Sequence, residues 1–255
     1  MTTPQWVLPP DFRLALVTGG GHRLGRALAL ALARNGHAVL LHYHRSKDEA
    51  AATAAEIRAL GVPAFLFGAD LRDTAQVDSL LKNLDSITND TNNHLLPLRV
   101  LVNSAALMAS GDARTLTAAE WDATLALNLR APFLLSQAAA RRMSDGGLII
   151  NVTDVGAQKA WSGFPAYTVS KAGLESLTRV LARSFAPSVR VNAIAPGLVL
   201  PSAGLPPEDW YRLTSKVLLK RPASLEEITG VLEFLLKNEY ITGQTITVDG
   251  GYSLV

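Results

Sequence analysis

The chain has 255 residues, 48% hydrophobic and 18% charged, with 24 Lys+Arg against 22 Asp+Glu and no Cys. The apolar fraction supports a real core and argues against disorder, while the missing Cys excludes disulfides, thiol catalysis and zinc–thiolate sites. A formal net charge of +2 is too small to imply a nucleic-acid partner, and no apolar run approaches the ~18–20 residues that span a bilayer. Residues 1–12 lack the basic-then-apolar pattern of a signal peptide, so a cytoplasmic protein with no nucleic-acid or membrane partner is expected.

In chain order, 14–17 reads as a strand, 24–35 as a helix stopped at Asn35-Gly36, 38–41 as a second strand, 47–60 as a helix ended by Gly61, and 64–67 as a third strand. Residues 74–84 form a short helix, 99–102 a fourth strand, and 117–142 a long helical stretch that Pro132 must interrupt or kink. A fifth strand at 147–152, a helix at 167–184, a sixth strand at 189–194, a helix at 225–237 and a last strand at 245–248 complete the alternation. This rhythm predicts a single α/β domain of doubly wound, Rossmann type, with a mostly parallel sheet of about seven strands behind an N-terminal tail at 1–12. Two segments break the pattern. Residues 85–97 are polar and rich in Asn and Thr, as in an exposed loop. Residues 198–220 carry Pro201, Pro206, Pro207, Trp210 and Tyr211 beyond the carboxyl end of the sixth strand, where open α/β sheets bind ligands, and are a candidate substrate lid.

Thr18-Gly19-Gly20-Gly21-His22-Arg23-Leu24-Gly25 joins the first strand to the first helix. Gly19, Gly21 and Gly25 let backbone approach a pyrophosphate, and His22, Arg23 and Leu24 stand where the helix offers free N–H groups. An ordinary Gly-rich turn is the alternative; the position within a βαβ unit favours a nucleotide. Arg23 can aim its fork at a phosphate, yet it resists the positive φ that glycine accepts. The second strand ends in His42-Tyr43-His44-Arg45-Ser46, without an acid. NAD sites usually place an Asp or Glu there for the ribose 2′-OH. An acid would repel a 2′-phosphate, whereas His44, Arg45 and Ser46 would bind it, so the expected cofactor is NADPH/NADP. A solvated basic loop is the competing account of that stretch. Asp70-Leu71 is either an adenine-edge contact or a turn whose Asp caps the next helix. Asn103, with Ser104 and Ala105, closes the fourth strand in either a cofactor-binding or a structural role. Pro196-Gly197 turns the chain past the nicotinamide position.

Tyr167-Thr168-Val169-Ser170-Lys171 places a phenol and an ammonium on one helical face. A neighbouring ammonium lowers a phenol's pKa and lets it donate a proton near neutrality. Such a pair also arises by plain packing, but Asp154 ends the fifth strand at the same sheet edge. Asn128 stands mid-helix, an odd place for Asn unless something binds its amide.

Together these motifs resemble the short-chain dehydrogenase/reductase family over essentially the whole chain, with Arg23 in the place of a glycine in Thr-Gly-x-x-x-Gly-x-Gly. The resemblance implies that Tyr167 donates the proton, that Lys171 binds the nicotinamide ribose and tunes Tyr167, and that Asn128 holds a water linking Lys171 to solvent. It also implies a homotetramer packed through the helices at 117–142 and 167–184. His-Tyr-His-Arg-Ser, Asp154 where most of the family has Ser, and the ending Val248-Asp249-Gly250-Gly251-Tyr252-Ser253-Leu254 look like the pteridine reductase branch. That branch reduces pterin or folate, through the dihydro to the tetrahydro form, with NADPH. The implied substrate contacts are Met108, Asp154, Phe164, Tyr167 and Trp210. Two positions depart from it: Ala106 lacks a hydroxyl found there, and Met108 replaces a stacking Phe, so a related pterin such as dihydromonapterin fits as well. A carbonyl reductase for 3-oxoacyl thioesters is an alternative, against which Asp154 counts. An NADP-binding scaffold or sensor is another, against which Tyr167, Lys171 and Asn128 count.

Overall fold

The computed structural model describes residues 12–88, 96–143, 146–202 and 204–255. Most of the tail at 1–12 and the middle of the 85–97 segment lie outside them. Seven strands form one sheet: β1 (Arg13–Thr18), β2 (His37–Tyr43), β3 (Ala64–Gly68), β4 (Leu98–Asn103), β5 (Gly147–Val152), β6 (Val189–Pro196) and β7 (Thr245–Val248). Their order is β3-β2-β1-β4-β5-β6-β7. All six pairings are parallel, so the sheet is wholly rather than mostly parallel. The helices are α1 (Arg23–Arg34), α2 (Lys47–Ala59), α3 (Thr74–Thr88), α4 (Ala118–Leu125), α5 (Ala131–Ala140), α6 (Pro165–Phe185), α7 (Pro207–Thr214) and α8 (Leu225–Lys237).

The near-continuous apolar strands are buried on both faces, as a parallel sheet requires. Side chains alternate along β1: Ala15 and Val17 join one core with α1, α2 and α8, while Leu14 and Leu16 join the other with α3, α5 and α6. Each fully buried Leu stabilises such a layer by roughly 1.5–3 kcal/mol. Because β1 neighbours both β2 and β4, the connections diverge there and open a crevice at the carboxyl edge of the sheet.

Three local expectations change. α3 runs on to Thr88, into the segment read as loop, because Leu84 is fully buried and Asp85 pairs with Arg142 at 2.6 Å. The long helix is interrupted not at Pro132 but just before it, by a wider turn at Ala126–Arg130 where the Ala131 N–H reaches the Ala126 carbonyl. The wide turn brings the chain to Pro132 without the N–H that proline lacks. Within the segment read as a lid, Pro207 starts a helix, α7, at the one position where a missing N–H is harmless. Elsewhere the ends match closely: the Ser224–Glu227 capping box opens α8 and the Thr117–Glu120 box opens α4. Among the described residues, no helix is long and apolar enough to cross a membrane.

Candidate active site

A cleft of about 580 Å³ runs along the carboxyl ends of β2, β1, β4, β5 and β6. The glycine loop forms its floor. Gly19 takes φ +65°, and a Cβ on Gly25 would lie 2.0 Å from the Gly19 carbonyl oxygen, so neither position admits a side chain. Arg23 does adopt φ +53°; its Nη2 donates to the Leu200 carbonyl at 3.2 Å, tying the loop to the segment after β6. No side chain caps the N-terminus of α1, so its first N–H groups remain donors for an anion.

His22, Arg23, Leu24, Tyr43, His44, Arg45, Ser46, Asp70, Leu71, Ser104, Ala105, Pro196 and Gly197 all border this cleft with Gly19, Gly21 and Gly25, as the sequence suggested. Ser46 Oγ lies 3.4 Å from His22 Nδ1. The Asp70 carboxylate closes its own turn, accepting the Arg72 N–H at 3.0 Å, so the turn reading is the one its side chain fulfils. Asn103 does not face the cleft. It is buried, donating to Asn151 Oδ1 at 2.8 Å and Ser136 Oγ at 3.2 Å, and Asn151 in turn donates to Thr178. This relay joins β4, β5, α5 and α6 through donated amide hydrogens.

Tyr167, Asp154 and Lys171 come together at the inner end. Asp154 is held from two sides: Oδ1 accepts the Gly156 N–H at 2.6 Å and Oδ2 accepts the Tyr167 hydroxyl at 2.8 Å. Lys171 is buried, its Nζ donating to the Val152 carbonyl at 2.8 Å and lying 5.7 Å from the Tyr167 ring centre. Burial raises the Asp154 carboxyl above its usual range. Burial also lowers Lys171, to about 8. Tyr167 is raised, first by burial and then by the Asp154 charge. The expected lowering by Lys171 is therefore outweighed, and the phenol keeps its proton.

Asn128 stands behind this group rather than on the cleft. Its Oδ1 accepts the Leu107 N–H at 2.8 Å, and its Nδ2 donates to the Leu107 carbonyl at 2.9 Å and to Ser170 Oγ at 3.0 Å. The bound amide inferred from its mid-helix position is there, and its partner is the backbone after β4. Met108, Phe164 and Trp210 do not border the cleft. Met108 follows the residue that Asn128 pins and is 44% exposed, and Phe164 packs edge-on against Trp161, ring centres 6.3 Å apart. Trp210 lies on α7, beyond Val199 and Leu200, the part of the segment read as a lid that lines the cleft.

Sequence reasoning missed two residues in particular. His42 is buried and accepts the Gly19 N–H at Nδ1 (3.3 Å), with Nε2 2.9 Å from the Ala69 carbonyl. It stitches the glycine loop to the end of β3. β2 is buried without a break from Ala38 to His42, so a polar ring at the end of that apolar run was the available signal. Arg72 borders the same end of the cleft, and no pattern marked it.

The family model described as enoyl-(acyl carrier protein) reductase matches residues 21–253. The FolM alternative dihydrofolate reductase 1 of Brucella suis, solved with NADP, superposes with a TM-score of 0.87 at 37% identity, covering 96% of each chain. A 1-cyclohexenylcarbonyl-CoA reductase of Streptomyces collinus is 33% identical, over 100% of this chain and 92% of its own. The 3-oxoacyl-[acyl-carrier-protein] reductase FabG of Staphylococcus aureus is 34% identical, over 93% of this chain and 96% of its own. With a glycine loop under an uncapped helix and a buried Tyr–Asp–Lys group at the sheet edge, the chain belongs to the short-chain dehydrogenase/reductase family and is an oxidoreductase.

Proposed function

We propose that the protein is an NADPH-dependent reductase of the pteridine reductase type, converting a pterin, dihydropterin or dihydrofolate to the tetrahydro form. The observation that carries this reading is the 2.8 Å hydrogen bond from Tyr167 to Asp154. A family member reducing a ketone needs one proton donor and a neutral hydroxyl to hold the oxygen. A carboxyl coupled to the phenol instead suits a ring C=N bond, whose nitrogen must be protonated and whose neighbouring N–H groups need an acceptor. The likeness to the Brucella dihydrofolate reductase supports the same substrate class.

The residues present fit a phosphorylated dinucleotide. The glycine cradle leaves no room for side chains, α1 has uncapped donors, and the end of β2 brings Arg45 without an acid. Gly19 to Gly25 would hold the pyrophosphate, and His44, Arg45 and Ser46 the 2′-phosphate. When bound, the nicotinamide supplies the hydride. The protein's own part is proton delivery and orientation. Tyr167 holds the proton that the ring nitrogen receives, and Asp154, fixed by Gly156, keeps the phenol loaded and accepts substrate N–H groups. Lys171, anchored on Val152, places positive charge beneath the phenol as it gives up its proton. Asn128 fixes the segment after β4 that walls the site.

The test is NADPH oxidation with dihydrobiopterin, dihydromonapterin, dihydrofolate and an acetoacetyl thioester. Turnover of one or more pterins supports the proposal. Turnover of the thioester alone favours the second reading, a 3-oxoacyl thioester reductase. That reading draws support from the exposed Met108 and the FabG relatives. No turnover, with NADPH still bound, favours a sensor. The proposal includes a homotetramer. Beside α4, α5 and α6, a groove of about 800 Å³ is lined by Leu129, Phe133 and Val180, and Phe133 and Val180 are 38% and 57% exposed. Sedimentation velocity checks it.

A further inference from the structure

The outer corner of the cleft contains a charge arrangement that the end of β2 alone does not explain. β2 brings His44 and Arg45 without an acid, but β3 delivers Asp70 to the same corner. Asp70 Oδ2 lies 3.8 Å from His44 Nε2. A bare carboxylate at that point would repel a phosphate held by His44 and Arg45, as an acid at the end of β2 would. It is not bare. Arg72 folds back over it, with Nε 3.0 Å from both carboxylate oxygens and Nη2 2.6 Å from Oδ2. The Arg72 backbone is fixed as well: its N–H donates to Asp70 and its carbonyl accepts Arg130 Nη2 at 2.6 Å. Held by Arg72, the Asp70 carboxyl is pushed down to about 2 and stays ionised, so only a cation can neutralise it.

We infer that Arg72 is a positioning residue for cofactor choice. By pairing with Asp70, it leaves the Arg45 cation and the His44 ring available to the 2′-phosphate of NADPH. The inference rests on the NADPH reading above and adds a determinant outside the segment after β2. It makes the 2′-phosphate corner a balance of the Arg45 cation against one masked acid.

The experiment measures dissociation constants for NADPH and NADH, by quenching of intrinsic fluorescence, for the full chain and for Arg72→Gln, Arg72→Lys, Asp70→Asn and the Arg72→Gln/Asp70→Asn pair. Arg72→Gln should weaken NADPH about 10-fold and leave NADH within about 2-fold. Arg72→Lys, which keeps the charge, should retain most of the NADPH affinity. In the double variant, NADPH affinity should return to within about 3-fold of Asp70→Asn alone. Equal weakening of both cofactors by Arg72→Gln would show a role in loop folding only and overturn the inference. So would an NADPH loss that persists undiminished in the double variant. A wild-type chain with no preference for NADPH fails at the first measurement, and that result sinks the cofactor reading and the inference together.

Discussion

Acidification should loosen the glycine loop through one side chain, His42. Its ring is buried and bridges Gly19 and Ala69, and burial lowers its pKa from 6.5 to about 4. Between those values the unfolded chain binds a proton that the folded chain refuses. Stability is therefore full above pH 6.5 and is lost as pH falls toward about 4. At about 1.4 kcal/mol per tenfold change in proton affinity, the loss from this group totals about 3 kcal/mol. A protonated ring also cannot accept the Gly19 N–H, so dinucleotide affinity should fall over the same range. His42→Gln keeps a donor and an acceptor but does not titrate. Urea unfolding followed by Trp fluorescence at pH 7.5, 6.0 and 4.5 measures the difference between the two proteins. At pH 7.5 the variant should be about 1–2 kcal/mol less stable, from poorer hydrogen-bond geometry. By pH 4.5 that gap should close or reverse. A gap constant across the three pH values would refute the assignment of a buried neutral imidazole.

Three further outcomes follow from the inner end of the cleft. Tyr167→Phe removes the proton donor and should lower kcat at least ~100-fold, with the dissociation constant for NADPH within twofold; fluorescence titration and steady-state rates separate the two. Burial brings Lys171 to about 8, so its charge is present below that pH and lost above it. The rate should therefore fall on an alkaline limb near pH 8 that Lys171→Met abolishes along with most of the activity. Asp154→Ser removes the acceptor that holds the Tyr167 proton. It should cut pterin turnover ~10–100-fold while lowering the pH at which the phenol ionises, a shift that ultraviolet difference titration of tyrosinate follows.

The sheet was legible because both of its faces are buried. Apolar runs at 14–17, 38–41 and 147–152 are too short for helices, and glycines such as Gly36 and Gly61 punctuate the helices between them. The motif residues of the site were legible for the same reason, since the ends of consecutive parallel strands must meet at one edge. What stayed hidden depends on packing between segments distant in sequence. Asn103 reads equally as a cofactor contact or a structural residue until β5 presents Asn151 beside it. Met108 reads as a substrate contact, and its place off the cleft follows from a segment whose Leu107 backbone is held by Asn128, 21 residues from Leu107.

The same distance hides the protonation state of the phenol from the sequence. Tyr167 and Lys171 share a helix face, so their pairing is visible at a spacing of four, and an ammonium alone would make the phenol more acidic. Asp154 comes from another element. Its Oδ2 stands 2.8 Å from the phenol, whereas the ammonium turns to the Val152 carbonyl, 5.7 Å from the ring centre. Burial raises Tyr167 first, and the nearer, negatively charged Asp154 adds to that rise. A phenol held in its protonated form carries the proton that a reduction consumes, and the charge of Lys171 must offset its raised proton affinity as that proton leaves. The three side chains thus wait with the proton on the phenol, the state in which a reduction begins.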